Sequence, residues 1–248
     1  MRAVYARGRT GTAMRRILPA IAALALAASF VSAQEPAENQ SDAAFREPEL
    51  SEAGELAITK FAGGIGIVVL EPVIGEDGTV ESVETIRSTP GLETWAVSAV
   101  KAWKFRPALM DGKPAESKTT VVVVFNQGFN VPPSFSLPPR AEQPDDDHPR
   151  ETQKNAKLAD FVPPLPTDVV IPEFPVMSVL TTTVVLRVKL ESSGDIESVK
   201  PLQEVAAYSP RAVDAVKKWQ FSPATFQGKP LSSNMIIAVL FMPSPAND

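Results

Sequence analysis

Cysteine is absent from the 248-residue chain, and there is a single histidine. The first absence excludes disulfide scaffolds, thiol nucleophiles and zinc sites with cysteine ligands. The second leaves His148 as the one imidazole, directly after Asp145, Asp146 and Asp147. We interpret this group as a solvated charge run rather than as an Asp/His metal site. The sequence therefore predicts no metal site and no cofactor.

Recognisable catalytic motifs are also missing. No Gly-x-Ser-x-Gly motif occurs, and His148 lies outside the segments that read as folded domains, so it cannot activate a serine there. The glycine-rich run at residues 63–66 leads into a predicted strand instead of opening a helix, which disfavours phosphate binding. Glu81 and Glu197 occupy equivalent strand positions, and we expect them to face solvent rather than act as paired acids. A non-enzymatic protein with no catalytic residues is predicted.

The chain has one long apolar run, Ile17–Val31, and its 15 residues fall short of the roughly 20 that a membrane span needs. No acidic residue comes before Glu35, and small residues close the run at Ala33. This order predicts a signal peptide over residues 1–33, cleavage after Ala33 and a periplasmic protein. An uncleaved inner-membrane anchor is the alternative, and Met14 is a second candidate start. Five arginines precede the run: Arg2, Arg7, Arg9, Arg15 and Arg16.

The acidic balance argues against a nucleic-acid partner. The full chain has a net charge of −5, and removal of the five signal arginines leaves 19 basic and 29 acidic residues, a net charge of −10. Nucleic-acid binding favours a basic surface. We therefore predict no nucleic-acid partner.

One segment of the chain occurs twice in closely similar form. The sequence AVKAWKFRPALMDGKP of residues 99–114 recurs as AVKKWQFSPATFQGKP in residues 215–230. Between Val68–Phe125 and Val184–Phe241, 22 of 58 positions are identical at a constant spacing of 116 without a gap. Such a register indicates two copies of one structural unit. The repeated structural motif consists of Trp103, Phe105, Pro107 and Gly112 and of Trp219, Phe221, Pro223 and Gly228.

We interpret this motif as the end of a helix and the turn towards a last strand. Its aromatic side chains would fill the gap between helix and sheet, and a ligand-stacking site is the alternative. Each copy reads as strand, strand, helix, strand, with Ser209 capping the second helix. The runs Val121–Phe125 and Met235–Phe241 are apolar throughout, as is typical of central strands. Prolines 72 and 201, inside strand-like runs, indicate blunted sheet edges.

The predicted fold class is α+β, with two tandem small domains, each a β-β-α-β unit with an antiparallel sheet and one packed helix. Eleven of the 24 prolines lie between residues 126 and 175, and we interpret that stretch as a semi-stiff tether. The expected division is a signal peptide (1–33), a partly disordered N-terminal segment (34–60), a first domain (61–126), a Pro-rich acidic linker (127–173), a second domain (174–242) and a C-terminal tail (243–248).

The pattern Ala-x-x-Ala-Val-x-x-Trp-x-Phe-x-Pro-Ala, followed by Gly-Lys-Pro and a strand ending in Phe, resembles the TonB C-terminal domain family. The resemblance covers Gly66–Phe125 and Phe174–Phe241, and Phe174-Pro175 matches the aromatic-proline pair that opens the family's domain. The resemblance implies a periplasmic module with a small antiparallel sheet and one packed helix. In TonB itself this domain binds outer-membrane receptors by adding a receptor strand to its sheet.

Three functions follow as expectations. The first is a non-enzymatic periplasmic adaptor linked to the cell envelope or to outer-membrane transport, which binds protein partners and possesses sheet edges for strand addition. The second is a membrane-anchored energy transducer, although Ile17–Val31 lacks the histidine-bearing face of such anchors. The third is a structural protein that binds peptidoglycan. The sequence leaves a homodimer open.

Overall fold

The computed structural model describes residues 45–54, 65–127, 134–137, 161–175 and 180–243. All of these residues belong to one compact unit. The predicted signal peptide, the C-terminal tail beyond residue 243, and His148 with its aspartates lie outside the described residues.

The described residues of the first repeat form one helix and nine strands. In chain order they are β1 (Phe45–Arg46), β2 (Glu49–Glu52), β3 (Gly66–Ile74), β4 (Val80–Ser88), α1 (Glu93–Lys101), β5 (Lys104–Arg106), β6 (Ala108–Met110), β7 (Lys113–Ala115), β8 (Ser117–Lys118) and β9 (Val121–Gln127). A short strand, β10 (Ser134–Ser136), follows.

The second repeat contains the corresponding elements. They are β11 (Phe161–Val162), β12 (Leu165–Val170), β13 (Thr182–Leu190), β14 (Ile196–Pro201), α2 (Ser209–Val216), β15 (Gln220–Ser222), β16 (Ala224–Phe226), β17 (Lys229–Leu231) and β18 (Ser233–Met242). Strand β18 matches β8 and β9 together, while β10 has no counterpart among the described residues.

The repeat is longer than its sequence identity indicates. Phe45 of β1 and Phe161 of β11 are separated by the same 116 residues, and they pair with the equivalent residues Met110 and Phe226. We call residues 45–54 the first strap and residues 161–170 the second strap. Both straps come from segments that we expected to be a partly disordered N-terminal segment and a tether. The structure instead places strands in them.

Both repeats contribute to one large sheet with the strand order β14-β13-β18-β9-β3-β4, and β8 also pairs with β3. The last strands of the repeats, β9 and β18, pair in parallel at its centre, whereas the other pairs are antiparallel. The prediction of an α+β fold with antiparallel sheets is confirmed, but the arrangement as two tandem domains is not. The repeats instead share a single sheet.

A one-residue offset at the centre determines where the two helices lie. Val122 pairs with Ile237, which lies 115 residues later, whereas its equivalent in the repeat is Ala238. Side chains alternate between the two faces of a strand, so an offset of one residue turns equivalent side chains to opposite faces. Helix α1 therefore covers one face of the sheet and α2 covers the other.

Each face carries a separate apolar core that contains residues from both repeats. Val121, Val123 and Phe125 join Ile236, Ala238 and Leu240 against α1. Their neighbours Val122 and Val124 join Ile237, Val239 and Phe241 against α2. Residues 121–126 are all buried, which confirms the prediction of a covered central strand. Burial on both faces explains why these strands are apolar throughout.

Two local expectations were wrong. Ser209 does not cap α2; it is the first helical residue, and its hydroxyl accepts a hydrogen bond from the backbone N–H of Val205 at 2.8 Å. Pro72 does not lie at a sheet edge, because β3 is flanked by β4 and by β8 and β9. It lies opposite the gap between β8 and β9, where its carbonyl oxygen accepts a hydrogen bond from the N–H of Thr119 at 3.3 Å. The missing N–H of proline is tolerated there, because no strand residue pairs with Pro72 on that side. Pro201 does end an edge strand.

The shared sheet predicts that the two repeats unfold together. Val122 and Val123 are neighbours on opposite faces, and both are fully buried. Replacing either by Ala should lower the free energy of unfolding by roughly 2 kcal/mol, because each change leaves a cavity in one core. Urea unfolding followed by circular dichroism should show a single transition for each variant. Thr94→Ala, at an exposed position on α1, is the control, with an expected change within about 0.5 kcal/mol. Two separate transitions would contradict the shared sheet.

Candidate protein-binding surfaces

The repeated aromatic motif lies in the interior of the protein. Trp103 is 1% exposed and Trp219 is 4% exposed, and Phe105 and Phe221 are buried beside them. Trp103 and Phe105 belong to the core under α1, and Trp219 and Phe221 belong to the core under α2. None of these rings is exposed in a way that would let a ligand stack on it.

The remaining motif residues lie at turns. Pro107 and Pro223 are partly buried just after β5 and β15. Gly112 and Gly228 are exposed in the turns that join β6 to β7 and β16 to β17. All eight residues of the motif thus form the return from the helix to the last strand.

The motif is tied to the first hairpin of each repeat by a glycine. Gly78 has a φ of +82°, and a Cβ atom on it would lie 1.9 Å from the carbonyl oxygen of Phe105. Gly194 repeats this approach to Phe221, with a distance of 2.6 Å. Only glycine fits such a close approach at this backbone conformation. In the same hairpin, hydrogen bonds from the hydroxyl and the backbone N–H of Thr79 lower the pKa of Asp77.

The two tryptophans differ in one polar contact. The indole Nε1 of Trp219 donates to the carbonyl oxygen of Val170 in the second strap at 2.8 Å. The equivalent atom of Trp103 is buried and has no hydrogen-bond partner among the described residues. The second strap is therefore hydrogen-bonded to the tryptophan that follows α2, whereas the first strap makes no such bond to Trp103.

Each strap also contacts the other repeat. In the first strap, the Glu49 carboxylate forms ion pairs with Arg106 of its own repeat at 2.8 Å and with Arg187 of β13 at 2.7 Å. In the second strap, the carbonyl oxygen of Pro164 accepts a hydrogen bond from Thr120 at 2.6 Å. The straps meet where the Phe45 and Phe161 rings pack with their centroids 5.0 Å apart.

The charges that the straps cover are arranged differently in the two repeats. In the first repeat, buried Glu71 pairs with Lys118 of β8 at 2.9 Å. The equivalent positions in the second repeat hold Arg187 and Asn234. The ion pair of Glu71 with Lys118 thus lies within the first repeat. In the second repeat, Arg187 and Asn234 instead contact Glu49 and Glu47 of the first strap.

Glu47 is the second acidic group of the first strap that reaches the second repeat. Its Oε2 accepts hydrogen bonds from the backbone N–H and the side-chain amide of Asn234, at 2.8 and 3.1 Å. Burial raises the pKa of Glu47 to about 7, against the lowering effect of these two hydrogen bonds. The folded protein therefore favours the protonated, neutral form of the Glu47 carboxyl group.

The outer strands of the large sheet, β4 and β14, each have one side without a partner strand among the described residues. Both carry a β-bulge at the equivalent residues Glu81 and Glu197, where the register of the pairing shifts. Both glutamates are exposed, as expected, and Glu197 forms an ion pair with Lys189 at 3.0 Å. Bulges at a sheet edge limit uncontrolled pairing with other chains.

The small sheets beside the large one differ between the repeats. Strand β12 pairs with β15 on one side and with β10 on the other, whereas β2 pairs with β5 alone in the described part of the chain. Next to β2 lies a groove of about 520 Å³. Its lining includes Ser51, Ala53, Thr183, Val185 and Leu202. No sequence pattern indicates this groove, because it arises from the absence of a partner strand beside β2 in the described residues, and an absent strand has no sequence signature.

Neither a grouping of metal-ligand side chains nor a helix of membrane-spanning character is present in the described ranges. No group of three histidine, aspartate or glutamate side chains comes together there as a metal site would require. In the same part of the chain, no helix combines the length and the apolarity that crossing a membrane would take.

Residues 60–127 match the family model of the Gram-negative bacterial TonB protein C-terminal. The match runs from just before β3 to the end of β9, and it confirms the resemblance that the motif indicated. Among curated proteins, none matches the chain. The TonB C-terminal match supports an envelope-associated, TonB-like protein whose partners are proteins. It covers β3 to β9 of the first repeat, and the internal register of 116 residues relates the second repeat to the first.

The unequal tryptophan contacts predict unequal costs of substitution. Trp219→Phe should lower the free energy of unfolding by about 1 kcal/mol more than Trp103→Phe, because only Trp219 loses a buried hydrogen bond and leaves a carbonyl unpaired. The two variants remove similar ring area at equivalent positions, so each is the control for the other. Urea unfolding gives both values. Equal losses would show that the Val170 contact does not stabilise the fold.

Glu47 predicts a stability that depends on pH. Its pKa is raised in the folded protein, so the folded state binds the proton more tightly than the unfolded state does. The free energy of unfolding should therefore fall as the pH rises from about 4.5 to about 7, by at most the order of 3 kcal/mol, and level off above that. Unfolding in urea at several pH values measures the slope, and Glu47→Gln should flatten it. Glu93→Gln, which removes an exposed carboxylate from α1, controls for the loss of one charge.

Proposed function

We propose that this protein is a non-enzymatic adaptor of the bacterial cell envelope, periplasmic after removal of residues 1–33, that binds protein partners. In this proposal it consists of two TonB C-terminal-like units fused into one sheet. The proposal rests on the match of residues 60–127 to the TonB C-terminal family model. The sheet that these residues help to form has outer strands with one open side in the described part of the chain.

The pairing of β9 with β18 limits where a partner strand can join. Both sides of these two strands are occupied within the chain, so the described part of the large sheet is open to extension at its two outer strands, β4 and β14. Strand β4 runs for nine residues, whereas β14 runs for six and ends in Pro201. A longer edge without a proline offers more backbone hydrogen bonds to an incoming strand. We therefore assign strand addition to β4.

Val83 is one of the residues of β4 whose backbone groups are directed to the open side. It lies opposite Pro72, whose carbonyl points the other way, to Thr119. In an antiparallel ladder, the N–H and C=O of a residue point to the same side of the strand. The N–H of Val83 is therefore available to a partner without loss of a bond between β3 and β4.

Val83→Pro tests the proposal, because proline removes that N–H. The matched control is Val199→Pro at the equivalent position of β14, where a similar side chain is lost. Both variants are compared with the wild type by pull-down and crosslinking from a periplasmic extract, after melting curves have shown comparable folding. We expect Val83→Pro to lose partners that Val199→Pro keeps. Absence of reproducible partners for the wild type would refute the adaptor function, and equal retention by both variants would refute the β4 site alone.

A further inference from the structure

The groove beside β2 corresponds to a position that the chain itself fills in its other half. There, Ser134, Phe135 and Ser136 of β10 pair with Val170, Val169 and Asp168 along the free side of β12. The next residue, Leu137, donates its backbone N–H to the carbonyl oxygen of Thr167 at 2.6 Å. The residue equivalent to Thr167 is Ser51 of β2, which lines the groove.

Leu137 also fills a side-chain site. It packs against the core that contains Ile67, Val69 and Val169 and that is extended by Ile86. The equivalents of these four residues are Thr183, Val185, Ala53 and Leu202, and all four line the groove. Thr183 and Ala53 are smaller or more polar than their counterparts. The repeat therefore presents the same arrangement of residues twice, and among the described residues a leucine packs against it in one half only.

The rim of the groove carries unusual apolar exposure. Leu202 is 40% exposed, and Leu180, next to the groove residue Thr181, is 67% exposed. Only Val162 joins them as an exposed large apolar side chain in the described residues. Leu202 thus offers exposed apolar surface inside the groove, which a bound apolar side chain would bury.

We propose that this groove binds an extended, uncharged peptide segment of a partner protein. The segment adds as a strand to β2 and places a leucine-type side chain over Val185 and Leu202. The backbone carbonyl oxygen of Ser51 accepts a hydrogen bond from a backbone N–H of the segment, as the carbonyl oxygen of Thr167 accepts one from Leu137. The lining residues Ser51, Thr181, Thr182, Thr183 and Gln203 carry no formal charge, which matches the uncharged Ser-x-Ser-Leu pattern at residues 134–137. This site is separate from the β4 edge and does not depend on it.

The chain provides its own probe. A fluorescein-labelled synthetic peptide with the sequence PPSFSLPP, that of residues 132–139, should bind the full-length protein with one peptide per chain in fluorescence anisotropy. The same peptide with serine in place of the leucine should bind at least tenfold more weakly, because the apolar contact is lost. Leu202→Glu should weaken binding by a similar factor. Val162→Glu is the matched control, since Val162 is 42% exposed and lies outside the groove, and it should leave binding unchanged.

The absence of cysteine allows the position of the peptide to be trapped. In Thr181→Cys the single thiol lies in the groove, and in Thr94→Cys it lies on the exposed side of α1. With diamide as the two-electron oxidant, a peptide extended by one terminal cysteine should form a disulfide with the first variant and much less with the second. Both variants retain the complete chain.

Four results would overturn the proposal. These are no peptide binding to the full-length protein, equal affinity for the leucine and serine peptides, loss of binding in Val162→Glu, and equal trapping at both cysteines. A dimer in light scattering that Leu202→Glu or the peptide dissociates would show that a second copy of this chain is the occupant, which also contradicts a separate partner. Val83→Pro should bind the peptide normally, so failure at the β4 edge and failure at the groove are distinguishable.

Discussion

The parallel pairing of β9 with β18 determines how the two repeats are joined and which face of the sheet each helix covers. It joins two repeats into one sheet, and its one-residue offset from the repeat register turns their equivalent side chains to opposite faces. Each helix then covers residues from both repeats, so neither core is complete within one copy. The sheet interior is therefore apolar on both faces, as in parallel sheets of much larger proteins.

The straps extend this mutual dependence beyond the sheet. Each begins with a phenylalanine at the meeting point of the two repeats, and each contacts the repeat to which it does not belong. The contacts are not copies of one another. Arg187 takes a carboxylate from the first strap, while the equivalent Glu71 pairs with Lys118 in its own repeat. Two copies of one unit have thus acquired different surfaces while keeping the same backbone order.

Local patterns were sufficient to predict much of each repeat. The strands, the helix and the return at Trp103 and Trp219 follow from side-chain alternation, helical spacing and turn residues, which act over a few neighbouring positions. The apolar run at Val121–Phe125 also indicated cover on both sides. What covers it could not be predicted, because an apolar run indicates burial on both faces but does not specify which segment of the chain provides the cover. The family resemblance described a single unit and so did not predict the pairing of two.

The straps, Glu47 and the groove escaped prediction for related reasons. Strand β1 has two residues, too few for an alternation pattern, and Phe45 and Phe161 are conspicuous only once the spacing of 116 is extended. Glu47 and Asn234 are separated by 187 positions, so their contact has no local signature. Prolines in the second strap resembled a tether, although proline is also tolerated in short edge strands.

The central pair also has a consequence for folding during synthesis. Strand β9 leaves the ribosome 115 residues before the part of β18 that pairs with it. At 5–20 residues per second, its apolar faces and open edge stay without their partner for on the order of ten seconds. Closing so long a loop before the pairing energy is gained makes this step slow compared with formation of the hairpins. The nascent first repeat is thus the stage at which the protein is most vulnerable to aggregation.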